Sequence, residues 1–142
     1  MRDRVYAVID TNVLVSALIA KDQESYPLKV LDYAYSGRIV PLFNDEILEE
    51  YQVVLKRDKF NLSAEDISQA ISTLARLGES ATRISIHEDF FPDESDRKFY
   101  EVMMSRENAF LITGNCKHYP HQQNVVTPRE MVEILGGLST VG

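Results

Sequence analysis

Apolar positions along the chain follow two rhythms. Short, nearly unbroken apolar runs occupy 5–10, 38–43 and 109–113, with a brief one at 124–126, and these read as buried strands. Between them lie longer stretches whose apolar positions recur three and four residues apart. They predict helices over 12–20, 28–35, 44–57, 63–77 and 94–106, and a last helix entered through Thr127 and Pro128. Punctuation supports the assignment. Gly37 follows the second helix, Asn44 and acidic residues open the third, Ser63 and Asp66 have capping-box spacing, and Gly78 ends the fourth. Pro41 within 38–43 suggests an edge strand or a strand end. Residues 83–86 alternate and read as one more short strand. The alternation of strand and helix implies an α/β fold: three layers, α/β/α, around a mainly parallel sheet of about five strands.

Composition changes this picture little. The 142 residues fit a single domain over 1–142, and 44% apolar with 26% charged residues is ordinary for a globular protein. No repeat or low-complexity tract interrupts the chain, and no apolar run reaches the roughly 18 residues of a membrane span. No signal segment opens it, and Cys116 is the single cysteine, so the expected compartment is the cytoplasm. The net charge of −7 opposes coating of nucleic acid by bulk electrostatics. It leaves room for a nuclease, in which acidic groups hold metal and a local basic rim holds phosphates.

The chemistry begins at the end of the first strand. Asp10 closes an apolar run, where an unpaired charge is costly. It either caps the next helix or has a distant partner, and those two readings weigh about equally. Sites in open α/β sheets form beyond the carboxyl ends of strands. Asp10, Thr11 and Asn12 follow the apolar part of the first strand; Thr113, Gly114 and Asn115 follow "AFLI". In the third helix, phase separates three glutamates. Glu46 and Glu49 point away from the apolar face of Ile47, Leu48, Tyr51, Val54 and Leu55, and Glu50 borders it. Later, Asp93 or Ser95 can cap the helix after Pro92, while Asp96 sits one turn ahead of the buried-face Phe99.

Asp10, Glu50 and Asp96 thus gather at corresponding ends of one α/β unit. Crowded carboxylates need a counter-charge, and a hard cation, Mg²⁺ or Mn²⁺, supplies it. His87, His118, His121 and Cys116 lack a standard zinc spacing. No Gly-rich phosphate loop follows any strand. An aspartyl phosphatase would carry a second Asp two positions after Asp10, where this chain has Asn12.

The ordered set "VIDTNVLVSALI", "ILEEYQVVLKRDKF", "PDESDRKFYEVM" and "AFLITGNCKHYP" resembles a PIN domain over essentially the whole chain. The resemblance implies a PIN-like, Rossmann-like fold and a metal-dependent ribonuclease of the kind found as the toxin of toxin–antitoxin pairs. It implies Asp10, Glu50 and Asp96 as the catalytic and metal-holding acids, supported by Asn12 and Thr113. Many members have a further acid where this chain has Asn115; Asp93 is the residue placed to compensate. Lys56, Arg57, Lys59, Arg97, Lys98, Lys117 and His118 could form a basic rim, with Lys98 and Lys117 the expected RNA contacts. RNA, an antitoxin protein and a second copy of the chain are the partners this reading brings. The reading from another class is a PIN-fold interaction domain that has lost activity at Asn115.

Overall fold

The computed structural model describes residues 4–86 and 91–139. Five strands form one sheet: β1 (Val5–Ile9), β2 (Ile39–Phe43), β3 (Glu79–Ser80), β4 (Phe110–Ile112) and β5 (Val125–Val126). Their order is β3-β2-β1-β4-β5, and every neighbouring pair is parallel. The helices are α1 (Thr11–Ile19), α2 (Tyr26–Ser36), α3 (Asp45–Leu55), α4 (Ala64–Leu77), α5 (Arg97–Met104) and α6 (Pro128–Ser139). They complete the three-layer α/β/α arrangement expected from the sequence.

Apolar burial explains why β1 lies at the centre. Ala7, Val8 and Ile9 are almost wholly buried, as are Ile39, Leu42, Leu111 and Ile112 on the flanking strands. Helices contribute matched stripes: Val13, Leu14 and Ala17 from α1; Ile47, Tyr51 and Leu55 from α3; Phe99, Val102 and Met103 from α5. Caps fix where the helices begin. Asn44 accepts from the Ile47 N–H, and Ser63 accepts from the Asp66 N–H. Thr127 and Glu130 cap α6 reciprocally through the Glu130 N–H and the Thr127 N–H.

Three expectations need correction. Residues 83–86 form no strand; the edge strand is Glu79–Ser80, only two residues long. Glu101 takes the place of a ladder partner at 83–86: its carboxylate accepts from the Ile86 N–H at 3.0 Å and its backbone carbonyl from the Ile84 N–H at 3.4 Å, while the carboxylate also binds Arg83 Nε at 2.8 Å. Pro41 marks no strand end, and β2 lies between β1 and β3 and is an edge only locally, at the proline. Pro41 is tolerated there because β3 pairs only with Leu42 and Phe43, so that ladder begins after the proline. The helix placed over 94–106 starts as a 3-10 turn at Glu94–Asp96, and α5 proper begins at Arg97. His87 lies outside the described residues.

The chain starts in the middle of the sheet, builds β2 and β3 on one side, and then crosses to β4 and β5. β1 and β4 are therefore neighbours at a switch of direction, the place where parallel sheets open a crevice. Ile9 and Ile112 are in register, so Asp10 and Thr113 emerge side by side.

Candidate active site

Asp10 occupies the cap position of α1, and its backbone carbonyl receives the Val13 N–H at 2.9 Å. Its side chain makes no capping bond. The carboxylate turns toward β4 instead, where Oδ2 accepts from Thr113 Oγ1 and from Tyr119 Oη, each at 2.8 Å. The capping reading thus holds for the backbone alone, and the distant partners are Thr113 and Tyr119. Asp10, Thr113 and Tyr119 are all buried. Burial raises the pKa of Asp10, the two hydroxyls work against that, and the charge of Glu50 adds to the rise.

α3 brings in Glu50, and helix phase explains why. Ile47, Tyr51 and Leu55 face the core, which leaves Glu50 partly shielded beside them and Glu49 exposed. Tyr51 locks the helix to β1 by donating to the Ile9 carbonyl. Glu50 Oε2 accepts from Thr11 Oγ1 at 2.6 Å, and Oε1 lies 2.6 Å from Lys98 Nζ. Glu46 is exposed but is more than a solvated first-turn acid, for it binds Arg83 through both oxygens at 2.8 and 2.9 Å.

The turn before α5 brings in Asp96. Asp93 caps that turn, accepting from the N–H and the hydroxyl of Ser95. Asp96 Oδ2 lies 3.7 Å from His118 Nδ1. Burial, followed by the charges of Asp10 and Asp93, pushes the Asp96 carboxyl up to about 6; nearby His118 partly offsets this.

Asp10, Asn12, Glu50, Asp93, Asp96, Lys98 and Asn115 line one open groove of about 940 Å³. Thr113 lies beneath it through its bond to Asp10. Asn12 Oδ1 accepts from the Gly114 N–H at 3.1 Å, and the Asn115 N–H donates to Thr113 Oγ1 at 3.0 Å, so α1 and the β4 turn are tied together. The same groove is lined by apolar Val15, Ile19, Val53, Val54 and Phe60, with Arg57 among them, and by exposed Glu46 and Glu49. Lys117 is exposed outside the lining. Lys98, expected at the basic rim, is folded onto Glu50 and donates to the Ser95 carbonyl.

The acids share a groove without closing on a common point. Among the described residues no three His, Cys, Asp or Glu side chains form a metal-ligand set. The hydrogen bonds give the reason: Thr11 and Lys98 hold Glu50, Thr113 and Tyr119 hold Asp10, and Asp96 leans toward His118. The donors still suit a hard divalent cation. They are carboxylate oxygens, and the charges of Asp10 and Asp93 add to the burial that raises Asp96.

Tyr119 and Thr11 were not singled out from the sequence. Thr11 had a weak signal in its place between Asp10 and Asn12 after a strand. Tyr119 had none, because a buried tyrosine looks like core until its hydroxyl is traced.

The PIN-domain family model matches residues 6–117, a span from β1 into the turn after β4 that includes Asp10, Glu50 and Asp96 and stops short of Tyr119. An uncharacterized protein of Methanocaldococcus jannaschii is 29% identical over 114 residues, covering 79% of this chain and 72% of the relative. No solved structure matches the chain. With a match across most of its length and the parallel α/β sheet described above, the chain belongs to the PIN-domain family.

Proposed function

We propose that residues 1–142 act as one metal-dependent endoribonuclease domain that hydrolyses RNA phosphodiester bonds, as the toxin of a type II toxin–antitoxin pair. PIN domains are typically nucleases, which supports the reaction class. The observation that carries the reading is the placing of Asp10, Glu50 and Asp96 in one open groove at the carboxyl ends of parallel strands.

Asp10, Glu50 and Asp96 would hold Mg²⁺ or Mn²⁺, with Asp93 and Asn115 beside them in the groove. A bound divalent cation supplies a water of lowered pKa and offsets charge developing on the phosphate. Thr113 and Tyr119 keep the Asp10 carboxylate turned toward β4 and desolvated. Asn12 fixes the turn that carries Asn115. The apolar wall of Val53, Val54 and Phe60 offers bases a surface, and Arg57 offers their phosphates a charge. Ile19 and Val53, 43% and 59% exposed, leave that wall open to an antitoxin segment with apolar residues and a basic side chain for the acids.

Incubation with total RNA and Mn²⁺ tests the nuclease. Cleavage that EDTA abolishes and Asp10→Asn lacks supports it. Expression of the chain alone in a close host tests the toxin role: growth arrest supports it, and harmless expression of a chain that cleaves RNA in vitro removes it.

A second reading is an interaction domain without activity. The ion pair between Lys98 and Glu50 favours it, since an internal ammonium already satisfies one of the acids. Metal separates the two, because that domain would show neither Mn²⁺-induced stabilisation nor EDTA-sensitive cleavage.

A further inference from the structure

Both carboxylate oxygens of Glu50 are engaged by the chain itself. Thr11 donates to Oε2, and Lys98 stands 2.6 Å from Oε1. Lys98 differs from a solvated surface lysine. Its side chain is only 11% exposed, Nζ lies 5.0 Å from the centre of the Phe99 ring, and it also donates to the Ser95 carbonyl. An ammonium is strongly hydrated, so it accepts such enclosure only where fixed partners replace water. Here those partners are one carboxylate, one carbonyl and one ring, all on α3, α5 and the turn that carries Asp96.

Resting on the metal-dependent reading above, we propose that Lys98 is a built-in counter-ion for Glu50 that a divalent cation must displace, so that it sets the metal concentration at which the site assembles. Thr11 and Lys98 differ in what they do to a metal. The Thr11 hydroxyl is neutral and leaves the charge of Glu50 available. The Lys98 ammonium neutralises that charge, and a cation bound to Oε1 would stand against it at short range. Occupancy of Glu50 by ammonium and by metal is therefore exclusive. The arrangement keeps α3 and α5 joined in the metal-free protein, and the divided carboxylates are its counterpart. Apparent metal affinity is reduced by the fraction of protein in which Glu50 is not free.

The test uses the full chain and Mn²⁺ alone, with titration calorimetry and thermal midpoints for wild type, Lys98→Gln and Lys98→Met; the methionine keeps a straight chain over Phe99. Loss of the competing ammonium lowers the metal-free midpoint and tightens the Mn²⁺ dissociation constant by about tenfold. Wild type that binds Mn²⁺ no more weakly than both variants overturns the counter-ion and leaves the nuclease reading standing. Failure of wild type and variants alike to bind overturns the metal reading and this inference with it. Should the variants not fold, lysine-¹⁵N NMR of wild type decides. The Lys98 ammonium is protected from exchange without metal and loses that protection as Mg²⁺ saturates the protein; protection unchanged at saturation overturns the exchange.

Discussion

Tyr119 donates its phenolic hydrogen to Asp10 Oδ2 at 2.8 Å, joining positions 109 residues apart. The ring is set by an edge-to-face contact with Phe91, centroids 6.3 Å apart. Burial and the Asp10 charge hold the phenol in its protonated, donating form. Tyr119→Phe keeps the ring and removes the donor, leaving a buried carboxylate with one hydroxyl partner fewer. The expected cost is about 1–3 kcal/mol of stability, read by urea denaturation. Metal affinity should fall about 10- to 100-fold, the usual effect of releasing a group that orients a ligand. A variant equal to wild type in both would leave the hydroxyl without a role.

The choice among the glutamates of α3 is equally direct. Glu50 is tied into the groove by Thr11, whereas exposed Glu49 has no such bond. Glu50→Gln should abolish RNA cleavage, and Glu49→Gln should leave it within a few-fold, both measured on a labelled RNA at saturating Mn²⁺. The reverse ranking would show that α3 presents another acid to the substrate.

Asp96 makes stability depend on pH in a stated sense. Its folded pKa of about 6 lies above the ordinary carboxyl value, so the folded state holds this proton more tightly than the unfolded chain. Stability from this group is greatest below the unfolded pKa and declines as pH rises through about 6, where the folded carboxyl ionises. Asp96→Asn should therefore raise the metal-free thermal midpoint more at pH 7.5 than at pH 5. The Mn²⁺-induced rise of wild type should weaken below about pH 6, because a protonated carboxyl is a poor ligand. An identical effect of Asp96→Asn at both pH values would contradict the elevated pKa.

The fold has its own test at Gly78. A Cβ there would lie 2.2 Å from the Pro41 carbonyl oxygen and 2.9 Å from that of Leu74, both backbone atoms. Gly78→Ala must push α4 from β2, at about 1–3 kcal/mol or more in chemical denaturation. A neutral substitution would mean that the junction of α4 and β3 is packed differently.

The parts legible in the sequence are those where local chemistry and tertiary demand agree. β1, β2 and β4 are apolar because they are buried between helices, and Asn44 and Ser63 cap because their side chains do so locally. Helix phase sets Glu50 apart as the half-buried acid of α3 beside Ile47, whereas Val54 is itself only half-buried and lines the groove, as do exposed Glu46 and Glu49. What failed locally was decided at a distance. Residues 83–86 alternate like a strand, but Glu101 takes the Ile84 and Ile86 N–H groups that a ladder would have used. Lys98 looked like a rim residue because it neighbours the acidic motif at Asp96. Only the packing of α5 against α3 shows the ammonium turned onto Glu50.

Anomalous diffraction from crystals of the protein grown with Mn²⁺ tests the central claim most directly. A manganese peak in the groove, contacted by carboxylate oxygens of Asp10, Glu50 and Asp96, is the result expected. A groove without manganese at saturating Mn²⁺, with Lys98 still on Glu50, would contradict it.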